Sequence, residues 1–85
     1  MLQTGCVVIS AAGKDRDALM AVVRQEHGGV WVADGRHRRI ERPKRKNPRH
    51  LRPTPYRVEE TSMATNRELR RALAACRQAG EPTEE

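Results

Sequence analysis

The chain reads as mainly β: a small antiparallel barrel followed by one C-terminal α-helix. Three observations predict it. Short β-branched runs alternate with turn residues through the first half, an Asp34-Gly35 pair sits where a hairpin should close, and a capping signal at Thr65 opens a segment of helical periodicity. Eighty-five residues, 36% of them apolar, make one domain with a small core. Phe is absent, and Trp31 and Tyr56 are the only aromatics, so Val, Ile, Leu, Met and Ala must build the interior.

The first strand is Gly5-Cys6-Val7-Val8-Ile9-Ser10-Ala11, ending in the turn-prone Gly13-Lys14-Asp15-Arg16-Asp17. Residues 18–25 supply a second. Ala, Leu and Met there suit a helix equally well, but Val22-Val23 and the following Gly28-Gly29 favour a strand. Val30-Trp31-Val32-Ala33 is the third. Asp34-Gly35 tolerates the positive φ that a type I′ turn needs, so a hairpin is expected there, with a fourth strand over 36–41 ended by Arg42-Pro43. A loop, Lys44-Arg45-Lys46-Asn47-Pro48, leads to a short fifth segment, Arg49-His50-Leu51-Arg52, stopped by Pro53-Thr54-Pro55. Thr65-Asn66-Arg67-Glu68 reads as a capping box, and Leu69, Ala72, Leu73 and Cys76 form a narrow apolar stripe at helical spacing. That stripe either closes the barrel or docks another protein. Gly80 and Pro82 stop the helix before an acidic tail. The expected organisation is a barrel over 1–56 including a basic loop over 36–52, a connector over 57–64, a helix over 65–80 and the tail over 81–85.

Charge is the most informative property. Residues 36–52 hold nine Lys/Arg against the single acid Glu41, net +8, while each flank is net −1. A positive stripe between near-neutral segments produces a directed field, and the partner it fits is a polyanion. An ordinary solvated face interleaves both signs.

A resemblance sharpens this. Gly5-x-Val7-Val8 with Ala12-Gly13-Lys14-Asp15 and Val22-Val23 resembles the KOW motif, a strand-loop-strand unit of many ribosomal proteins and transcription elongation factors. The continuation Val32-Ala33-Asp34-Gly35-x-x-Arg38-Arg39-Ile40-Glu41-x-Pro43-Lys44-x-Lys46-Asn47-x-x-His50-Leu51-x-Pro53-Thr54 is similar to the small bacterial KOW-domain RNA-binding proteins. Those are in turn similar to the archaeal and eukaryotic large-subunit ribosomal proteins of the fourteen-e type, with their six-e and twenty-seven-e relatives. The likeness runs from about Gly5 to Thr54 and more weakly through the helix. It implies an SH3-like β-barrel and RNA as ligand. The chain departs from the motif in Asp15-Arg16-Asp17, where a residue at or near Asp17 stands in place of a usual glycine.

The candidate RNA-binding residues are Lys14, Arg16, Arg36, Arg38, Arg39, Arg42, Lys44, Arg45, Lys46, Asn47, Arg49, His50 and Arg52. Arginines fork onto phosphate oxygens and lysines act as point charges; 44–46, on a proline-bounded loop, is expected to be free to follow a phosphate backbone. Arg67, Arg70, Arg71 and Arg77 lie off the helix stripe and can add phosphate contacts. Base reading is poorly served, because stacking needs exposed aromatics and Trp31, between valines, reads as core or half-buried.

Other chemistries find little support. Cys6 and Cys76 stand far apart with no CxxC, so neither a disulfide scaffold nor a zinc site is expected, and His27, His37 and His50 lack partner ligands. There is no P-loop, GxSxG or HExxH. The expectation is a non-enzymatic protein without metal or cofactor. With no apolar run long enough for a signal peptide or a span, the default address is the cytoplasm, not a membrane. The expected role is RNA binding, on ribosomal RNA of the large subunit or its precursors. The rivals are a protein-interaction adapter of the translation or transcription machinery, and a nonspecific DNA binder.

Overall fold

The computed structural model describes residues 2–80, so the acidic tail expected over 81–85 lies outside the described residues. Five strands form one antiparallel sheet: β1 (Cys6–Ser10), β2 (Leu19–Glu26), β3 (Gly29–Ala33), β4 (Lys44–Lys46) and β5 (Leu51–Arg57). Their order is β4-β3-β2-β1-β5, and the sheet is open, because β4 and β5 form its two unpaired edges. Helix α1 (Asn66–Gly80) follows two short 3-10 turns, Pro48–His50 and Glu60–Met63.

The unbroken apolar runs of the first three strands arise because both faces of the sheet are covered. Val8, Met20, Val22, Val30 and Val32 point to one face, where Cys6 and Leu51 join them. Val7, Ala21 and Ala33 point to the other, where Val58 and the helix residues Leu69 and Leu73 meet them. Leu69 is 0% and Leu73 5% exposed, so the apolar stripe of α1 is spent on the sheet rather than left open as a docking face. Tyr56 and Cys76 are partly buried against the same cluster, and burial pushes the Cys76 thiol above its ordinary pKa.

Three expectations fail, each for a legible reason. Residues 36–41 are not a strand. Asp34 Oδ1 accepts from the Arg36 and Arg38 amides, the Asp34 and Gly35 amides both donate to the Arg38 carbonyl, and the Ile40 amide donates to Asn66 Oδ1. With those donors committed, no ladder is left to form. The fourth strand is instead Lys44–Lys46, paired on Val30, Trp31 and Val32, so Pro43 precedes a strand rather than ending one.

The type I′ signal also belongs elsewhere. His27 and Gly28 both have positive φ, 52° and 81°, between the paired Glu26 and Gly29, so the two-residue hairpin joins β2 to β3. At Gly35 φ is +79°, and a Cβ there would strike the Asn66 carbonyl oxygen, so its glycine serves close approach to the start of α1.

Finally, Pro53 and Pro55 do not stop β5. It is an edge strand, where a missing amide is tolerated. The Thr54 hydroxyl donates to the Val7 carbonyl at 2.7 Å and accepts from the Tyr56 amide at 3.2 Å, across a register shift between Cys6 and Val8.

The helix start shows the threonine half of the capping box: Thr65 Oγ1 accepts from the Glu68 amide at 3.1 Å. Asn66 adds a tertiary role by bonding Ile40 and donating to Glu41 Oε1 at 2.7 Å, which holds the Glu41 carboxyl below its ordinary pKa.

Two substitutions test these backbone assignments in urea denaturation. Asp17 has φ 69°, a strained value for a residue with a side chain. Asp17→Gly should therefore raise stability by about 0.5 kcal/mol, the relief of strain exceeding the added chain entropy. Gly35→Ala should lower it by about 2 kcal/mol.

Candidate nucleic-acid interface

The bases do not form one stripe. The 11–17 loop is the point to which the basic segment is tied. Asp15, 14% exposed, receives Arg38 Nε at 3.2 Å and stands 3.9 Å from Lys46 Nζ. Asp17 Oδ1 lies 3.8 Å from Arg52 on an exposed surface, and the Ala11 amide donates to the His50 carbonyl at 2.8 Å. Both ends of the basic segment are thus anchored to the same short loop.

Lys46 is not a free phosphate ligand. Its side chain is only 9% exposed. Its ammonium donates to Ser10 Oγ at 3.0 Å and to the Ala12 carbonyl at 3.2 Å, with Asp15 beside it. Ser10 is fully buried and hands its own proton to the Ala12 carbonyl at 3.1 Å. Since β4 is one edge of the sheet and β1 pairs the other, this lysine ties the curled sheet together. Asn47 is likewise structural: its side chain caps the Pro48–His50 turn, accepting from the Arg49 amide at 2.9 Å. The expectation that 44–46 is a free loop is corrected accordingly, although Lys44 and Arg45 remain exposed on β4.

Two adjoining concavities gather part of the other charge. The first is lined by Lys14, Asp15, Arg16, Arg38 and His37, above Ala18 and Asp34. The second shares Ala18, Asp34 and His37, and adds Arg36, Leu19 and, from α1, Arg70, Leu73, Ala74 and Arg77. Six Lys/Arg from two loops and a helix therefore border one groove against the acids Asp15 and Asp34. Asp15 is occupied by Arg38, and Asp34 by backbone amides with His37 at 4.0 Å. The groove leaves Lys14, Arg16, Arg36, Arg70 and Arg77 without an acidic partner among the described residues. Arg39 and Arg42 sit exposed in the turn before β4; Arg49, His50 and Arg52 are exposed too, the last two beside the 11–17 loop.

A separate cationic group lies across the sheet. Trp31 is paired with Arg24 on one side and Arg45 on the other, and both guanidiniums approach its ring, at 4.3 and 5.5 Å from the centroid. Arg24 was not among the expected site residues, because a register shift in β2 is what brings it opposite Trp31. Arg70 and Arg77 were legible only as residues off the apolar stripe; their meeting with 34–38 depends on how α1 lies on the sheet.

Among the described residues no group of three His, Cys, Asp or Glu could hold a metal ion, and no helix is long and apolar enough to cross a membrane. Comparison with protein-family models and with curated proteins gives no match.

The Lys46 anchorage is measurable. Lys46→Ala should destabilise the fold by about 2 kcal/mol in urea, since it removes a nearly buried ammonium that donates to Ser10 and Ala12 and ties β4 to β1, whereas Lys44→Ala should change it by less than about 0.5 kcal/mol.

Proposed function

We propose that this protein is a non-enzymatic RNA-binding protein whose groove, bordered by loops 13–18 and 34–38 and by α1, accepts the phosphate backbone of structured RNA. The observation that carries the reading is the convergence of Lys14, Arg16, Arg36, Arg70 and Arg77 on one concave surface, with no acidic partner for any of them among the described residues. Like charges gathered at one surface repel each other and destabilise the fold, a cost that a polyanion in the groove removes. Arginine forks suit phosphate oxygens, and the mixed lining of loops and helix suits recognition by shape rather than by base sequence.

The strand order β4-β3-β2-β1-β5, with Lys46 drawing the β4 edge to the end of β1, supports the finer assignment of an SH3-like barrel of KOW type. The residues shared with small KOW-domain proteins then favour ribosomal RNA, and the large subunit or its precursors, as the target. A cytoplasmic address follows from the same reading.

Affinity for a duplex-like RNA, measured by anisotropy across a salt series, should fall with a log–log slope of about −4.5 to −5.5, matching five or six phosphate contacts. Arg70→Gln with Arg77→Gln should reduce the slope by about two units while leaving the fold intact. On large ribosomal subunits, binding should saturate at about one copy per particle and resist bulk transfer RNA, since nonspecific binding has many weak, competable sites. A slope near zero, with retention on a protein partner, would establish the adapter reading. Preference for B-form duplex would establish DNA binding.

A further inference from the structure

Trp31 lies at the centre of a row that crosses three strands. The register sets Arg24 of β2 and Arg45 of β4 directly opposite it, one on each side. In a regular ladder the residue after Val22, which pairs with Val32, would be the one facing Trp31; the register shift between Val22 and Arg24 makes it Arg24 instead. Bulges are a common means of re-aiming a side chain at a functional surface. Val23, the residue passed over, is left to pack with the cluster under α1.

The other arginine is placed just as closely. A Cβ on Gly29 would meet the Arg45 guanidinium at 2.7 to 2.9 Å, so the glycine lets that group lie low over the backbone beside the indole. Trp31 itself is half-buried, and Arg24, 57% exposed, has among the described residues only the exposed Glu26 at 3.5 Å as an ion-pair partner. Arg45 has no acidic partner among the described residues.

Both guanidiniums lie over the indole, so the row is a flat, cationic surface on which an anionic, flat ligand takes a ring face by displacing one guanidinium toward its phosphates. A nucleotide is such a ligand, its base stacking on the ring and its phosphates meeting the arginines. The groove at α1 shares no residue with this row, so a strand held in the groove by its phosphates leaves the row free for a base that is not paired.

We infer that Trp31, flanked by Arg24 and Arg45, is a stacking platform for an unpaired base of the bound RNA. The inference rests on the RNA-binding reading and adds to it a preference for single-stranded or bulged segments.

Trp31 is the only tryptophan, so the chain reports on its own platform. The full-length protein is titrated at low salt with a single-stranded oligoribonucleotide of about 12 nucleotides, a perfect RNA duplex and inorganic polyphosphate; anisotropy follows binding and indole emission follows stacking. The single strand should quench emission saturably by about half or more, and the duplex and polyphosphate far less. Trp31→Leu should weaken single-strand binding about tenfold with duplex binding unchanged, and Trp31→Phe, which keeps a ring, should retain most of it. Circular dichroism confirms that each variant is folded; if the leucine variant is not, the wild-type quenching and the phenylalanine variant decide. Binding of the single strand without quenching overturns the platform and leaves RNA binding standing. Equal quenching by polyphosphate overturns it too, because charge alone then perturbs the indole. No binding of any RNA at low salt overturns both.

Discussion

The fold depends on how a run of nine bases is held against a core that has no large side chains to spare. The solution centres on the 11–17 loop. Asp15 takes Arg38 and stands by Lys46, whose ammonium is nearly enclosed by Ser10, Ala12 and that carboxylate. A buried lysine is costly unless each of its protons finds an acceptor, and here the acceptors belong to the strand and loop at the opposite side of the curled sheet. One side chain therefore satisfies itself and draws the β4 edge toward β1. Breaking it removes the donations to Ser10 and Ala12 and the tie between β4 and β1, which makes this contact more consequential than the exposed Asp17–Arg52 or Arg24–Glu26 pairs.

Once the loop fixes the basic segment, the remaining cations are no longer a flexible tract. Asp34 gathers the Arg36 and Arg38 amides, and Asn66 ties Ile40 and Glu41 to the first turn of α1. The turn between β3 and β4 is thereby held beside the helix, and Arg36 comes to share a groove with Arg70 and Arg77. Buried Leu69 and Leu73 set the rotation of α1 that makes this possible. Packing, capping and charge placement act through the same few residues, so the groove is organised by the fold itself.

The first three strands and the helix were readable because β-branched runs, turn residues and a 3.6 period state them locally. The segment 36–41 was not, since its alternation is genuine but its amides are claimed by Asp34 and Asn66, and side-chain capture of backbone donors at such distance leaves no periodic trace. Asp34-Gly35 misled for a related reason: its glycine answers to the neighbouring helix, while the tighter hairpin uses the less obvious His27-Gly28. Of the candidate site, the exposed bases were recognisable by type. Lys46 and Asn47 were not separable from their neighbours, because only the fold decides which lysine of Lys44-Arg45-Lys46 turns inward. Arg24 lay hidden behind a bulge, which no composition announces.

The fold assembles distant bases into one groove, bordered by loops 13–18 and 34–38 and by α1. Amide NMR of the uniformly labelled chain, titrated with structured RNA, tests it most directly. The account predicts simultaneous, saturable shifts in 13–18, in 34–38 and along the Arg70 to Arg77 stretch of α1, with Val7, Ala21 and the remaining core amides unmoved. Shifts confined to the basic segment 36–52, with α1 silent, would contradict it and reduce the interface to a charged tract.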